Sequence, residues 1–342
     1  MKNALRVTFL GVAVMLLVSL TAWAGGQKEK AAASTSSSSK QYTIALIPKL
    51  VGVPYFNRAQ EGAQQAAKDL GVNLVYTAPT TVDSAAQVSS IEDQIAKGVN
   101  AIAVAPNDPA AVTPVMMKAK QAGIITMDWD TPADPSVVDY SIHQIDDQEY
   151  GQHVWDLLVK YMGDSGDYAI ITGGLSAANL NSWIKYGEEY AKTKYPKLHL
   201  VTDPVPTDEK QQVAYQKALD LIKAYPNLKG IIGISTPAPV GAAQAVQEKG
   251  LQGKIAVVGT SLPSMSAPYF SDGSLDAVTL WDPAKLGYLT VYIAKMALEG
   301  KKPTTGLDVP TVGKIRVAAD GKTIFMGPPQ DFTKDNYKQF PF

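Results

Sequence analysis

Short apolar runs alternate along this chain with longer stretches in which apolar residues recur every three or four positions. The unit that sets the pattern is YTIALIPKLVGVPYFNRAQEGAQQAAKDLG at 42–71. Tyr42 to Ile47 has the composition of a strand buried on both faces of a parallel sheet. Pro48, Gly52 and Pro54 then mark a loop. From Asn57, read as an N-cap, the residues Ala59, Ala63, Ala66, Ala67 and Leu70 fall on one face of a helix, and Gly71 ends it.

The alternation continues. Strands are expected at Asn73 to Tyr76, Ala101 to Ala105, Ile124 to Met127 and Asp139 to Ile142. A helix covers Asp83 to Lys97, and another runs from the Pro106-Asn107-Asp108-Pro109 turn to Ala122-Gly123. A long helix, Asp147 to Met162, leads into a second series with strands at Tyr168 to Thr172, Leu198 to Thr202, Gly230 to Ile234 and Ala256 to Gly259. Helices at Asn181 to Lys194, Lys210 to Ala224 and Gly241 to Lys249 separate them. Asp276 to Leu280 is a further strand and Ala284 to Leu298 a helix, after which come short strands, Leu307 to Val309 and Lys314 to Val317. Strand following helix without hairpins implies right-handed crossovers and a doubly wound parallel sheet. Since the series occurs twice, the fold class is α/β with two parallel-sheet lobes facing each other across a cleft.

The ends and the charge narrow the class. Lys2 and Arg6 precede an apolar run, Val7 to Leu20, followed by Ala22-Trp23-Ala24, so residues 1–24 read as a cleaved secretory signal. Residues 25–40 read as a flexible leader. The chain has no cysteine, which leaves no residue for a lipid anchor and no disulfide. The expected product is an exported, periplasmic protein stabilised by core burial. A net charge of -1 gives no electrostatic case for nucleic acid or an anionic membrane surface.

Ligands of open α/β sheets sit at the carboxyl ends of the strands, and the candidate residues cluster there. Lys49, Tyr55 and Phe56 follow the first strand. Asp128, Trp129 and Asp130 follow the fourth, and period-two alternation would turn both carboxylates to one side if the strand continues. Trp281 and Asp282 follow the late strand. In the second half the candidates are Asn179, Asn181 and Trp183, then Ser235 with Thr236, Pro237 and Ala238, and Ser261. Carboxylates and amides suit hydroxyl groups, and flat aromatic rings suit the C–H face of a sugar.

Taken together, IALIPK at 44–49, PYF at 54–56, AIAVAPND at 101–108, ITMDWDTP at 125–132, VVGTS at 257–261 and LWDPAKLGYL at 280–289 resemble the type I periplasmic sugar-binding proteins of ABC importers, the ribose-binding-like group. PKLVGVPYF, NSW at 181–183 and LWD at 280–282 are most similar to the rhamnose and autoinducer-2 receptor branch. The resemblance covers the chain from Gln41. It implies three crossover strands, placed near Ser141 to Gln144, Thr279 to Asp282 and Pro310 to Gly313. One lobe would then hold 41–142 with 282–310, and the other 143–281 with 311–342. It implies Asp128 as the ligand carboxylate, Lys49 as a ligand contact, a membrane permease as partner and a monomeric state, with no cofactor. Where the autoinducer-2 receptors carry Asp and Gln, this chain has Asn179 and Leu180. That departure puts a sugar such as rhamnose or a pentose ahead of autoinducer-2, which stays as the alternative ligand.

Enzymatic readings find little support. Gly174-Leu175-Ser176-Ala177-Ala178 lacks the last glycine of a nucleophile elbow. His143, His153 and His199 have no metal or triad spacing. A glycosidase would need two of Asp128, Asp130 and Asp282 across one bond.

Overall fold

The computed structural model describes residues 41–342; the export signal over 1–24 and the leader over 25–40 lie outside the described residues. The first series comprises β1 (Thr43–Ile47), α1 (Pro54–Leu70), β2 (Asn73–Tyr76), α2 (Ser84–Ala96), β3 (Ala101–Val104), α3 (Pro109–Gln121), β4 (Ile125–Trp129) and β5 (Tyr140–His143). All the pairings among these strands are parallel, in the order β5-β4-β3-β1-β2. The second series comprises α4 (Asp147–Met162), β6 (Ser165–Thr172), α5 (Ala178–Lys194), β7 (Lys197–Leu200), β8 (Val205–Pro206), α6 (Gln211–Ala224), β9 (Leu228–Ile234), α7 (Ala238–Glu248), β10 (Ala256–Thr260), α8 (Pro263–Phe270) and β11 (Ala277–Leu280). Its sheet runs β11-β10-β9-β6-β7. The strand centres Ile44 to Ile47, Ile102 to Val104, Ile231 and Ile232 are fully buried, as helices on both faces require.

Helix α9 (Pro283–Leu298) follows β11 but packs on α1, so the chain has returned to the first lobe. The remaining strands are β12 (Asp308–Val309), β13 (Gly313–Lys314), β14 (Arg316–Val317), β15 (Thr323–Phe325) and β16 (Gln330–Phe332). Here the expected boundary is corrected. β14 and β15 form an antiparallel hairpin whose β15 adds to β5 in the first sheet, so residues 316–325 do not belong to the second lobe. The chain crosses only between Phe325 and β16, which pairs antiparallel with β11, rather than at 310–313. Such short strands carry too little apolar periodicity to reveal which sheet they join.

Three helix starts also shift, α7 beginning at Ala238 where Gly241 is expected. Pro54 occupies the first turn of α1, where its fixed φ suits the helix and its missing N–H costs nothing. Asn57 is therefore no cap; its N–H donates to the Val53 carbonyl at 2.9 Å. Tyr55 and Phe56 consequently sit on a rigid first turn instead of a loop. Likewise α5 begins at Ala178, which places Asn179 and Asn181 on helix.

Candidate functional site

A cavity of about 230 Å³ lies between the two sheets' carboxyl ends. This is somewhat below the range of roughly 300–1,000 Å³ usual for small-molecule sites, as suits a ligand of monosaccharide size or smaller. From the first lobe, Lys49, Tyr55, Phe56 and Asp130 line it, with Val53 and Pro54; Trp281 and Leu280 enter from the second crossover. From the second lobe come Asn179, Leu180 and Trp183 on α5, Glu209 and Gln211 ahead of and on α6, Ser235, Thr236 and Pro237 after β9, Thr260 at the end of β10 and Met265 on α8.

The polar groups form a connected set. Trp281 Nε1 donates to the Tyr55 hydroxyl at 3.0 Å, and Tyr55 donates to Asp130 Oδ1 at 2.6 Å. Burial, with the Asp130 carboxylate beside it, pushes the Tyr55 phenol well above its ordinary range, so it stays a donor. Lys49 Nζ lies 3.7 Å from Asp130 Oδ2 and donates to Asn179 Oδ1 of the opposite lobe at 3.0 Å. The Thr131 hydroxyl is 3.0 Å from the same Asn179 oxygen and 3.1 Å from Asp130 Oδ2, so one proton serves two acceptors. Ser176 Oγ donates across the cleft to the Asn107 carbonyl at 2.9 Å. The lobes are thus closed on each other, and Asn179 is the point where two first-lobe donors converge.

Aromatic edges wall the remainder. Tyr55 meets Phe56 edge-on at 5.0 Å between ring centres, and Trp183 meets Trp281 at 5.9 Å. Trp183 Nε1 donates to Asp147 Oδ1 at 2.7 Å; Asp147 is raised to about 6 by burial. These rings present their positions through hydrogen bonds that fix them, as a preformed site requires.

Several expected residues fall elsewhere. Asp128 is the main correction. It is 1 % exposed, outside the cavity, with one oxygen taking the Ala133 N–H at 2.8 Å and the other the Ser141 hydroxyl. The two-residue alternation fails because β4 ends at Trp129 and Asp130 adopts φ 63, a left-handed conformation that swings its carboxylate to the other side. Burial raises Asp128 to about 7, while His143, whose Nε2 lies 2.9 Å from the same Ser141 hydroxyl, is lowered to about 4 and stays neutral. Trp129 is fully buried against Phe56 and offers the cavity no face. Asp282 caps α9 through the Ala284 N–H at 2.9 Å and holds Arg58 by two bonds of 3.0 Å. Asn181 is exposed and donates to the Leu175 carbonyl at 2.8 Å, so helical geometry separates it from Asn179. Ala238 is buried within α7, and Ser261 donates to the Thr236 carbonyl at 2.7 Å, shaping the wall from behind.

Glu209, Gln211, Thr260, Met265 and Leu280 line the cavity and had not been singled out. Glu209 follows Asp208 in a turn where both residues have positive φ, 49 and 61, a conformation no apolar or polar periodicity signals. Met265 lies on α8, a helix of low amphipathicity interrupted by Pro268.

Comparison with known proteins agrees with this geometry. The ribose import binding protein RbsB of Bacillus subtilis is 24% identical over 318 residues, covering 91% of this chain and 98% of that protein. A solute binding protein of an ABC transporter from Clostridium phytofermentas, solved with bound L-rhamnose, is 29% identical with a TM-score of 0.82, covering 88% of this chain and 98% of its own. LsrB from Clostridium saccharobutylicum in complex with AI-2 is 28% identical, also with a TM-score of 0.82, covering 88% and 100%. Among the described residues no helix is long and apolar enough to cross a membrane. The model of the periplasmic binding protein domain matches residues 44–302, and with two parallel-sheet lobes of the type I arrangement the chain belongs to that family of non-enzymatic solute-binding proteins.

Proposed function

We propose that the protein is the solute-binding component of an ABC importer for a small neutral sugar, rhamnose or a pentose, enclosed whole between the lobes and handed to a membrane permease. The observation that carries this reading is the composition of the cavity wall: one lysine paired with Asp130, a second carboxylate at Glu209, the amides of Asn179 and Gln211, hydroxyls from both lobes, and four aromatic rings. Such a wall suits an uncharged ring with hydroxyl edges to donate to its acceptors and an apolar face to meet its aromatic rings. Leu180 and Met265 add apolar surface that fits the methyl group of a 6-deoxy sugar better than the dense hydroxyls of the AI-2 furanose. Closure would be a hinge motion at the three interlobe segments, and the cross-cleft bonds at Asn179 would form only in the closed state.

Calorimetry of the exported chain against L-rhamnose, L-arabinose, D-xylose, D-ribose and AI-2 is the direct test. Binding of at least one neutral sugar at about micromolar Kd, corresponding to roughly 8 kcal/mol, is expected. A folded protein that binds none of the sugars, or binds AI-2 alone, removes the reading.

A further inference from the structure

Glu209 stands in the cavity wall with its charge unmatched. Lys49, the cation near it, is engaged at 3.7 Å with Asp130 and at 3.0 Å with Asn179. Beside it the Ser235 hydroxyl is 2 % exposed; it lies near enough to ease the carboxyl downward yet closes no hydrogen bond of normal geometry. A buried hydroxyl and a carboxylate left without matched partners are costly unless something that enters the cavity pairs with them. The local backbone is built to hold this arrangement. Asp208 and Glu209 both take the left-handed conformation, which non-glycine residues adopt at a cost. Gly173, at the end of β6, leaves the space the carboxylate fills, for a Cβ there would collide with Glu209 Oε1.

Resting on the sugar reading, we propose that Glu209, with Ser235, is the specificity-determining acceptor of the second lobe: it receives protons from adjacent ligand hydroxyls and bars ligands that carry a carboxylate. Two carboxylates and one lysine give the cavity an excess of negative charge, so a sugar acid meets repulsion where a neutral diol meets two acceptor oxygens. Charge-assisted bonds of this kind are stronger than neutral ones, and they exist only while Glu209 is ionised. Burial raises its pKa, the positive Lys49 from the β1–α1 loop lowers it, and Asp130 at the end of β4 and Asp208 in its own turn raise it. Lowering the pH through that raised range therefore protonates the acceptor and weakens binding.

The test is calorimetry of the wild-type chain and of Glu209→Gln with L-rhamnose, L-arabinose and D-galacturonate, the last being L-arabinose with a carboxylate on C5. The wild type is expected to bind a neutral sugar, to bind D-galacturonate at least about 100-fold more weakly, and to lose affinity as the pH falls. Glu209→Gln is expected to weaken the neutral sugar about 10-fold, flatten the pH dependence and narrow the gap to the acid, the loss corresponding to about 1.4 kcal/mol. Gly173→Ala, whose Cβ would meet Glu209 Oε1 and also Leu180 Cδ1, displaces the carboxylate without removing it and is expected to weaken the neutral sugar and to flatten the pH dependence as Glu209→Gln does. If Glu209→Gln binds the neutral sugar within two-fold of wild type with the same pH profile, the role of Glu209 is overturned while the sugar reading stands. A wild type that binds no sugar overturns both.

Discussion

Replacing Asp130 with alanine is expected to weaken ligand binding by about 100-fold or more, equivalent to roughly 3 kcal/mol, because it removes the carboxylate paired with buried Lys49 and leaves only Glu209, which lies outside ion-pair distance, to balance it in the closed state. Asp130 accepts from Tyr55 and Thr131 and pairs with Lys49 at once. When the lobes open, water can solvate Lys49, so the penalty falls on closure and hence on affinity more than on unfolding. Asp128→Asn is the informative companion. An asparagine there can accept from the Ala133 N–H and donate to Ser141 Oγ, whose own proton can turn to His143 Nε2 once the neutral ring moves its proton to Nδ1, so the Ala133 and Ser141 bonds are both kept. Its binding is expected to stay within about three-fold of wild type, below roughly 1 kcal/mol. Stability provides a second readout. The folded pKa of Asp128, about 7, lies above its ordinary value of 3.8, so its share of stability is fully present below that value and is lost progressively as the pH rises to about 7. Asp128→Asn removes that loss, and its melting temperature is expected to vary less between about pH 5 and about pH 7 than the wild type's. Equal losses of affinity in the two variants, measured by calorimetry, would contradict the division of roles between these neighbouring carboxylates.

That division also shows where sequence reasoning reaches its limit. The alternating strands and helices were legible because each strand is a continuous apolar run and each helix carries an apolar stripe, as in Ile44 to Ile47 followed by Ala59, Ala63 and Ala66. The strand-end rule placed Lys49, Tyr55, Asp130, Asn179, Thr236 and Trp281 in one region of space, and the cavity does bring them together. It could not say which way a side chain turns once the strand has ended. A single left-handed residue at Asp130 separated two carboxylates that alternation turns to one side, and another at Glu209 brought in a third that no pattern marked. Trp129 looked like a stacking surface because aromatic residues near strand ends often are. It fills the core because the last strand position, with Phe56 over it, faces α1 rather than the cleft.

Alanine at Gly287 or at Gly62 is expected to lower the melting temperature by several degrees and to weaken ligand binding with it. Helices α1 and α9 touch backbone to backbone: a Cβ on Gly62 would collide with the Ala284 carbonyl, and one on Gly287 with the Ala59 carbonyl. The obstacle is main chain on both sides, so no side-chain rotation relieves it and the helices must separate. Overpacking of this kind costs about 1–3 kcal/mol and sometimes more, against about 1 kcal/mol gained from alanine's better helix propensity. With main chain on both sides the cost falls at the upper end, and a net loss near 2 kcal/mol corresponds to a fall of roughly 4 °C for a chain somewhat longer than about 250 residues. Gly327→Ala is the control, since no atom lies within 4 Å of its would-be Cβ, and it is expected to leave the melting temperature unchanged. The coupling to binding follows from where these helices begin. Tyr55 is in the first turn of α1, and Trp281 lies two residues ahead of Pro283, which opens α9. Their mutual hydrogen bond of 3.0 Å therefore depends on how closely α1 and α9 dock. Pushing the helices apart by even about an ångström takes that bond beyond its useful range. Tyr55 then loses its orientation toward Asp130, so a packing defect remote from the cleft is read out as weaker affinity; a variant that melts early yet binds as tightly as wild type would show that the two ends of this helix pair are not coupled.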